Sequence, residues 1–128
     1  MQIKMWQALK TLDIYKRIKN QYLPAKVAYK LNKLYNELEK TSIFYHEELD
    51  KIIVEYSEKN EDGSPKILED GSGIKIKEEF VEEAKAKAEE LWNLDVDSPE
   101  VQISLNDLDN IRLSIEELNA MSPFIKEE

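Results

Sequence analysis

The sequence contains no cysteine, which excludes disulfides and every thiolate metal site. His46 is the one histidine in 128 residues, so a multi-histidine zinc or iron centre cannot be assembled within one chain. Glycine is scarce, and all three glycines fall between residues 63 and 73, which concentrates the sharp turns in one place. No apolar run approaches the ~20 residues of a membrane span. Residues 1–6 lack the apolar core and small residues of a secretory signal. These absences set the expectation of a cytoplasmic protein with no cofactor and no membrane contact.

What is present suits a folded helical chain. The length fits a single domain, 1–128, large enough to bury about two-thirds of its unfolded surface. Hydrophobic residues make up 41%, enough for a core, and the 35% that are charged suit exposed helix faces. The net charge of -9 is unevenly spread. Residues 1–40 hold nine Lys/Arg and three Asp/Glu, whereas residues 41–128 hold nine and 24. An acidic body repels nucleic acid at long range, so no direct nucleic-acid partner is expected, although the basic third could still touch phosphate. The simplest reading is that the two parts attract each other, or that both are solvated.

Hydrophobic spacing gives the elements. Trp6, Leu9, Leu12, Tyr15, Ile18 and Tyr22 recur at three or four residues and predict a helix over 6–22, broken at Leu23-Pro24. Val27, Leu31, Leu34, Leu38, Thr41, Tyr45, Leu49, Ile52 and Tyr56 form a second stripe over about 24–58. At 1.5 Å per residue that helix is about 50 Å long and is expected to protrude or bend. Its heptad-like seam could pack in the same chain, the favoured reading, or against another chain. Tyr29, Ile43 and Val54 lie about 180° from this seam. Their three readings are scattered surface residues, a second core layer, or a partner site.

The third segment is a turn region. Asp70-Gly71-Ser72-Gly73 separates two short strand candidates and predicts a β-hairpin within 64–77. Phe80, Val81, Ala84, Ala88, Leu91 and Trp92 predict a helix over 77–94. Val101, Ile103 and Leu105 alternate as in a strand, to be paired with the hairpin or with Met1–Met5. Ser114 has the capping-box spacing to Glu117 and should open a short helix ending before Ser122-Pro123. The region 99–125 is thus a strand with short helices. No internal repeat is recognised. The expected class is α+β and mainly helical: a long antiparallel helix pair, a third helix packed on it, and a hairpin or three-stranded sheet.

Catalytic patterns are missing. Residues 58–69 nearly match a calcium loop, with oxygen ligands at loop positions 1, 3, 5 and 12 and Gly63 at position 6. Glu58 in place of aspartate, Pro65, and Lys66 at a ligand position favour a plain turn. His46 beside the helix seam reads as a packing residue rather than a base. The serines show no nucleophile-elbow pattern, and Gly71-Ser72-Gly73 lacks the lysine of a phosphate loop. The chain is therefore read as no enzyme. The abundant glutamates, Glu82, Glu83, Glu89 and Glu90 among them, instead suit a carboxylate array that imitates DNA phosphates in a basic protein groove.

The order of features carries a resemblance. Leu23-Pro24-Ala25-Lys26-Val27-Ala28-Tyr29-Lys30-Leu31 precedes a long Leu/Glu helix ending at Glu55-Tyr56. The turns Glu61-Asp62-Gly63-Ser64-Pro65 and Glu69-Asp70-Gly71 follow. Leu105-Asn106-Asp107-Leu108 and Leu113-Ser114-Ile115-Glu116-Glu117-Leu118 close the pattern. Over about residues 20–125 this resembles a family of short phage and prophage proteins of Gram-positive bacteria, classed as a domain of unknown function. The resemblance brings no active site. It implies a phage accessory protein, acting in the host cytoplasm, that binds and inhibits or redirects a host-encoded protein, as an anti-defence factor or an acidic nucleic-acid mimic. The alternative is a virion component or a tail or head assembly chaperone. The oligomeric state stays open.

Overall fold

The computed structural model describes residues 1–127. Among them the fold is α+β and mainly helical, with four α-helices and two sheets of two strands each. In chain order these are β1 (Gln2–Lys4), α1 (Met5–Ile18), α2 (Ala25–Tyr56), α3 (Val81–Trp92), β2 (Asp95–Asp97), β3 (Ile103–Ser104), α4 (Ile115–Met121) and β4 (Ile125–Lys126). The chain divides into two compact units. One joins Met1–Ile43 to Leu94–Glu128, and the other is Phe44–Asn93. Helix α2 contributes residues to both.

The first unit holds the main core. Its buried cluster draws Ala8, Leu12, Ile14 and Ile18 from α1, Val27, Leu31, Leu34 and Leu38 from α2, and Ile103, Met121 and Phe124 from the last third of the chain. The in-chain reading of the α2 seam therefore holds here. Tyr15 and Tyr35 add a stacked ring pair, centroids 4.4 Å apart, and the Tyr15 hydroxyl donates to Asn32 Oδ1 at 3.3 Å.

The stripe of α1 differs from the expectation. Met5, Ala8, Thr11 and Ile14 are buried, whereas Trp6 and Leu9 are half-buried and Tyr22, beyond the helix end, is fully exposed. The reason is a second neighbour, since α1 also packs on α4. Two neighbours widen the buried sector past a single stripe.

Helix α4 starts as its capping box predicts. The Glu117 N–H donates to Ser114 Oγ at 3.1 Å, and the Ser114 N–H donates to Glu117 Oε1 at 2.9 Å. Arg17 of α1 donates to Glu117 Oε2 at 2.6 Å and to the Arg112 carbonyl at 3.2 Å. The Ser114 N–H and the Arg17 guanidinium hold the Glu117 carboxyl below its ordinary pKa. Ser114→Ala should lower stability by about 1 kcal/mol and Ser114→Gly by only a few tenths, read from urea midpoints. Equal losses would contradict the capping role.

The strand pairing corrects two expectations. Residues 95–97, which lie between the expected helix and the expected strand, form β2, antiparallel to β1 with Ile3 opposite Val96. Each strand is one apolar residue between two polar ones, and Lys4 Nζ meets Asp95 Oδ1 at 2.7 Å. Val101 and Ile103 do point inward, but Leu105 is exposed. Strand β3 pairs neither with the hairpin nor with Met1–Met5. It runs parallel to β4, with Ile103 opposite Ile125. Alternation fixes which face is buried, not which strand is the partner.

Candidate functional site

The candidate site is built on Phe44–Asn93. That unit carries 15 Asp/Glu against seven Lys/Arg, a net -8 of the chain's -9. The first unit is close to neutral, with 12 against 11. Its basic N-terminal stretch is offset by acids from residues 94–128, as the pairs Lys4–Asp95 and Arg17–Glu117 show. Two basic residues of the N-terminal stretch thus pair with acids from the end of the chain inside the first unit. The acidity of the second is left over.

The second unit has a thin interior. Tyr56, Ser57 and Leu91 are its buried residues, and Tyr56 is 5% exposed. Helix α3 lies against the second half of α2. Tyr45 meets Trp92 edge-on at 6.1 Å, Tyr56 meets Phe80 at 5.6 Å, and the Tyr56 hydroxyl donates to Glu83 Oε1 at 3.1 Å. Lys87 sits 5.3 Å over the Tyr56 ring and 3.9 Å from Glu55. The adjacent Tyr56 side chain and the Glu55 charge raise its pKa. The expected packing of α3 on α2 is found within this unit.

Between α2 and α3 the backbone closes a small ring. The Glu58 N–H donates to the Lys75 carbonyl, Lys75 to Lys66, and Lys66 back to Glu58, each at 2.8 Å. The expected hairpin is present as the Ile67–Ile74 bridge, and Ser57–Ile76 and Lys59–Pro65 bridge the other two sides. Glu-Asp-Gly-Ser recurs at 61–64 and 69–72 and folds alike both times. Asp62 Oδ1 accepts from the Ser64 N–H and hydroxyl, and Asp70 Oδ1 from those of Ser72. These bonds, the hydroxyl foremost, lower both carboxyl pKa values. Gly63 and Gly71 take φ of 89° and 74°, which only glycine adopts freely. This short repeat extends no further than its four residues, so no longer repeating unit surrounds it. It also explains the near-match to a calcium loop, since Asp62 is spent on its own turn. Among the described residues no three His, Asp or Glu side chains converge as metal ligands would.

The glutamates singled out in α3 share its outer side. Glu82, Glu83, Glu89 and Glu90 are all exposed, while Val81, Ala84, Lys87 and Ala88 are half-buried and Leu91 is buried. Glu82 and Glu89, like Glu83 and Glu90, are seven residues apart and so fall nearly in line, about 10 Å apart along the axis. Glu83 differs from the rest because it accepts the Tyr56 hydroxyl. An open depression of about 680 Å³ is lined by Glu58, Lys59, Lys77, Glu78 and Glu79. Glu58 is ion-paired there with Lys75 at 3.0 Å.

Tyr29, Ile43 and Val54 are not brought together. They are 72%, 54% and 42% exposed, so none belongs to a second core layer. Tyr29 and Ile43 stand about 21 Å apart along α2, and Val54 belongs to the other unit. Serine resembles tyrosine, isoleucine and valine in helix propensity. The triple change of Tyr29, Ile43 and Val54 to Ser should therefore leave the thermal midpoint within a few degrees. A collapse of folding would contradict their exposure.

Comparison with known proteins returns no matching family model, no matching curated protein and no matching solved structure. Among the described residues no helix is long and apolar enough to cross a membrane.

Proposed function

We propose that the protein acts by binding another protein and that its Phe44–Asn93 unit is the docking surface. The observation that carries this reading is the segregation of charge, with -8 of -9 in one 50-residue unit whose outer helix side aligns Glu82, Glu83, Glu89 and Glu90. Such a field attracts and orients a basic groove, and it excludes acidic partners. Acting in this way as a phage accessory protein, the chain inhibits or redirects a host protein that handles nucleic acid, with the carboxylates standing where phosphates would lie. The host setting rests on the family resemblance alone. A virion or chaperone role would use the heptad-like α2 seam as its docking face. Val27, Leu31, Leu34, Leu38 and Tyr56 of that seam are buried within their own units, so the seam is not free at those positions.

Affinity capture of the tagged chain from phage-infected cells tests the proposal. The expected result is one host protein, released when salt rises from about 0.1 to 1 M, as the Debye length falls from about 10 to 3 Å. Phage structural proteins in the eluate, with the tag present in purified particles, would overturn it.

A further inference from the structure

We infer that the first unit carries a separate site for a nucleotide-sized anion, in the groove over Lys26, Tyr29, Lys30 and Lys33. The groove is about 520 Å³ and is closed on its other side by Glu100, Val101 and Gln102. That volume is within the range of small-ligand sites, roughly 300–1,000 Å³. The four α2 residues lie within about 100° of one another around the helix, and the lysines span about 10 Å along it.

Three features point to the ligand. Lys26, Lys30 and Lys33 make no ion pair with any described residue, so their charge is available. The first turn of α2 holds no acidic side chain to offset them. Tyr29 stands among the lysines with 72% of its surface exposed, and an open aromatic ring beside cations is a platform for a planar base whose phosphates reach the ammonium groups. Glu100 is the one acid of the lining, and it favours a ligand that brings an amino group as well as phosphate. The chain's -9 charge works against long duplexes, which carry many phosphates beyond the groove. A single nucleotide unit, free or at the end of a strand, suffers less. This site does not depend on the acidic surface of the other unit.

The test is a titration of the full chain, followed by amide chemical shifts, with adenosine triphosphate, tripolyphosphate and a short oligothymidylate as probes. Adenosine triphosphate should shift the amides of residues 25–33 and 100–102 and bind more tightly than tripolyphosphate. Replacing Lys26, Lys30 and Lys33 together by Gln should weaken it by at least about tenfold. Tyr29→Ala should remove its advantage over tripolyphosphate, a loss of about 5-fold or more. Lys16→Gln with Lys19→Gln, which removes exposed charge elsewhere, should change little. All these side chains reach solvent, and an unchanged far-ultraviolet spectrum confirms the fold. The oligothymidylate arm separates a free nucleotide from a strand end, depending on which probe binds more tightly. No shift in the groove with either nucleotide probe, or an equal loss in the Lys16/Lys19 variant, would overturn the site. So would self-association that saturates the groove without ligand.

Discussion

Reversing Glu82, Glu89 and Glu90 to Lys, with Glu83→Gln, should weaken the protein complex by about 100-fold or more while leaving the chain folded. The three reversals and one neutralisation move the net charge from -9 to -2. All four residues lie on the exposed side of α3. Glu83 is changed to Gln because its carboxylate accepts the hydroxyl of Tyr56, which is buried. Glutamine keeps an acceptor there, so a loss of affinity is not confused with an unpaired buried hydroxyl. Close charge pairs across protein interfaces are coupled by roughly 1.5–7 kcal/mol, and about 3 kcal/mol already gives a hundredfold change. Binding measured by calorimetry against the captured protein, with melting curves of both forms, reads both effects. Unchanged affinity in a folded variant would remove the carboxylate array from the account.

The second large effect is on stability. Phe124→Ala should cost about 3–5 kcal/mol and lower the melting temperature by about 10–20 °C. Phe124 is fully buried with Met121 and Ile103 in the core of the first unit. Its position is fixed by a short turn, Ser122–Phe124, whose Pro123 carbonyl accepts from Gln102 Nε2 at 3.1 Å. Truncating the ring leaves a cavity between segments that are far apart in the chain, which cannot collapse cheaply. A loss below about 1 kcal/mol would show that this end of the chain is peripheral to the core.

Phe124 also marks where sequence reading stops. Ser122-Pro123 ends the periodic pattern of the preceding helix, so its stripe is not read on to Phe124. The long periodic segments behaved otherwise. Helix α2 runs from Ala25 to Tyr56 where 24–58 was expected, and α3 from Val81 to Trp92 follows a short helical turn at 78–80. Ser114 opens α4 as its spacing to Glu117 requires. Local signals of this kind depend on neighbours three or four residues away and survive in any tertiary setting. Strand partners do not. Gln2-Ile3-Lys4 and Asp95-Val96-Asp97 meet across more than 90 residues, and three-residue strands carry too little pattern to find each other. The complementary Lys4 and Asp95 charges were the available signal.

The candidate site was legible in composition and only partly in placement. The glutamates of α3 fall on one side because seven residues nearly complete two helical turns. The confinement of the excess charge to Phe44–Asn93 was hidden. Counted along the chain, residues 94–128 look as acidic as the rest, yet they fold beside the basic N-terminal stretch. Tyr29 was singled out for lying opposite the α2 seam. Its lysine neighbours gain a groove only when Glu100, Val101 and Gln102 arrive from the far end of the chain.

The most direct measurement is the salt dependence of the complex with the captured protein, for the natural chain and for the variant altered at Glu82, Glu83, Glu89 and Glu90. Affinity should fall steeply between about 50 and 500 mM salt for the natural chain and much more shallowly for the variant. Equal slopes, or affinity indifferent to salt in both, would contradict an acidic docking surface on Phe44–Asn93.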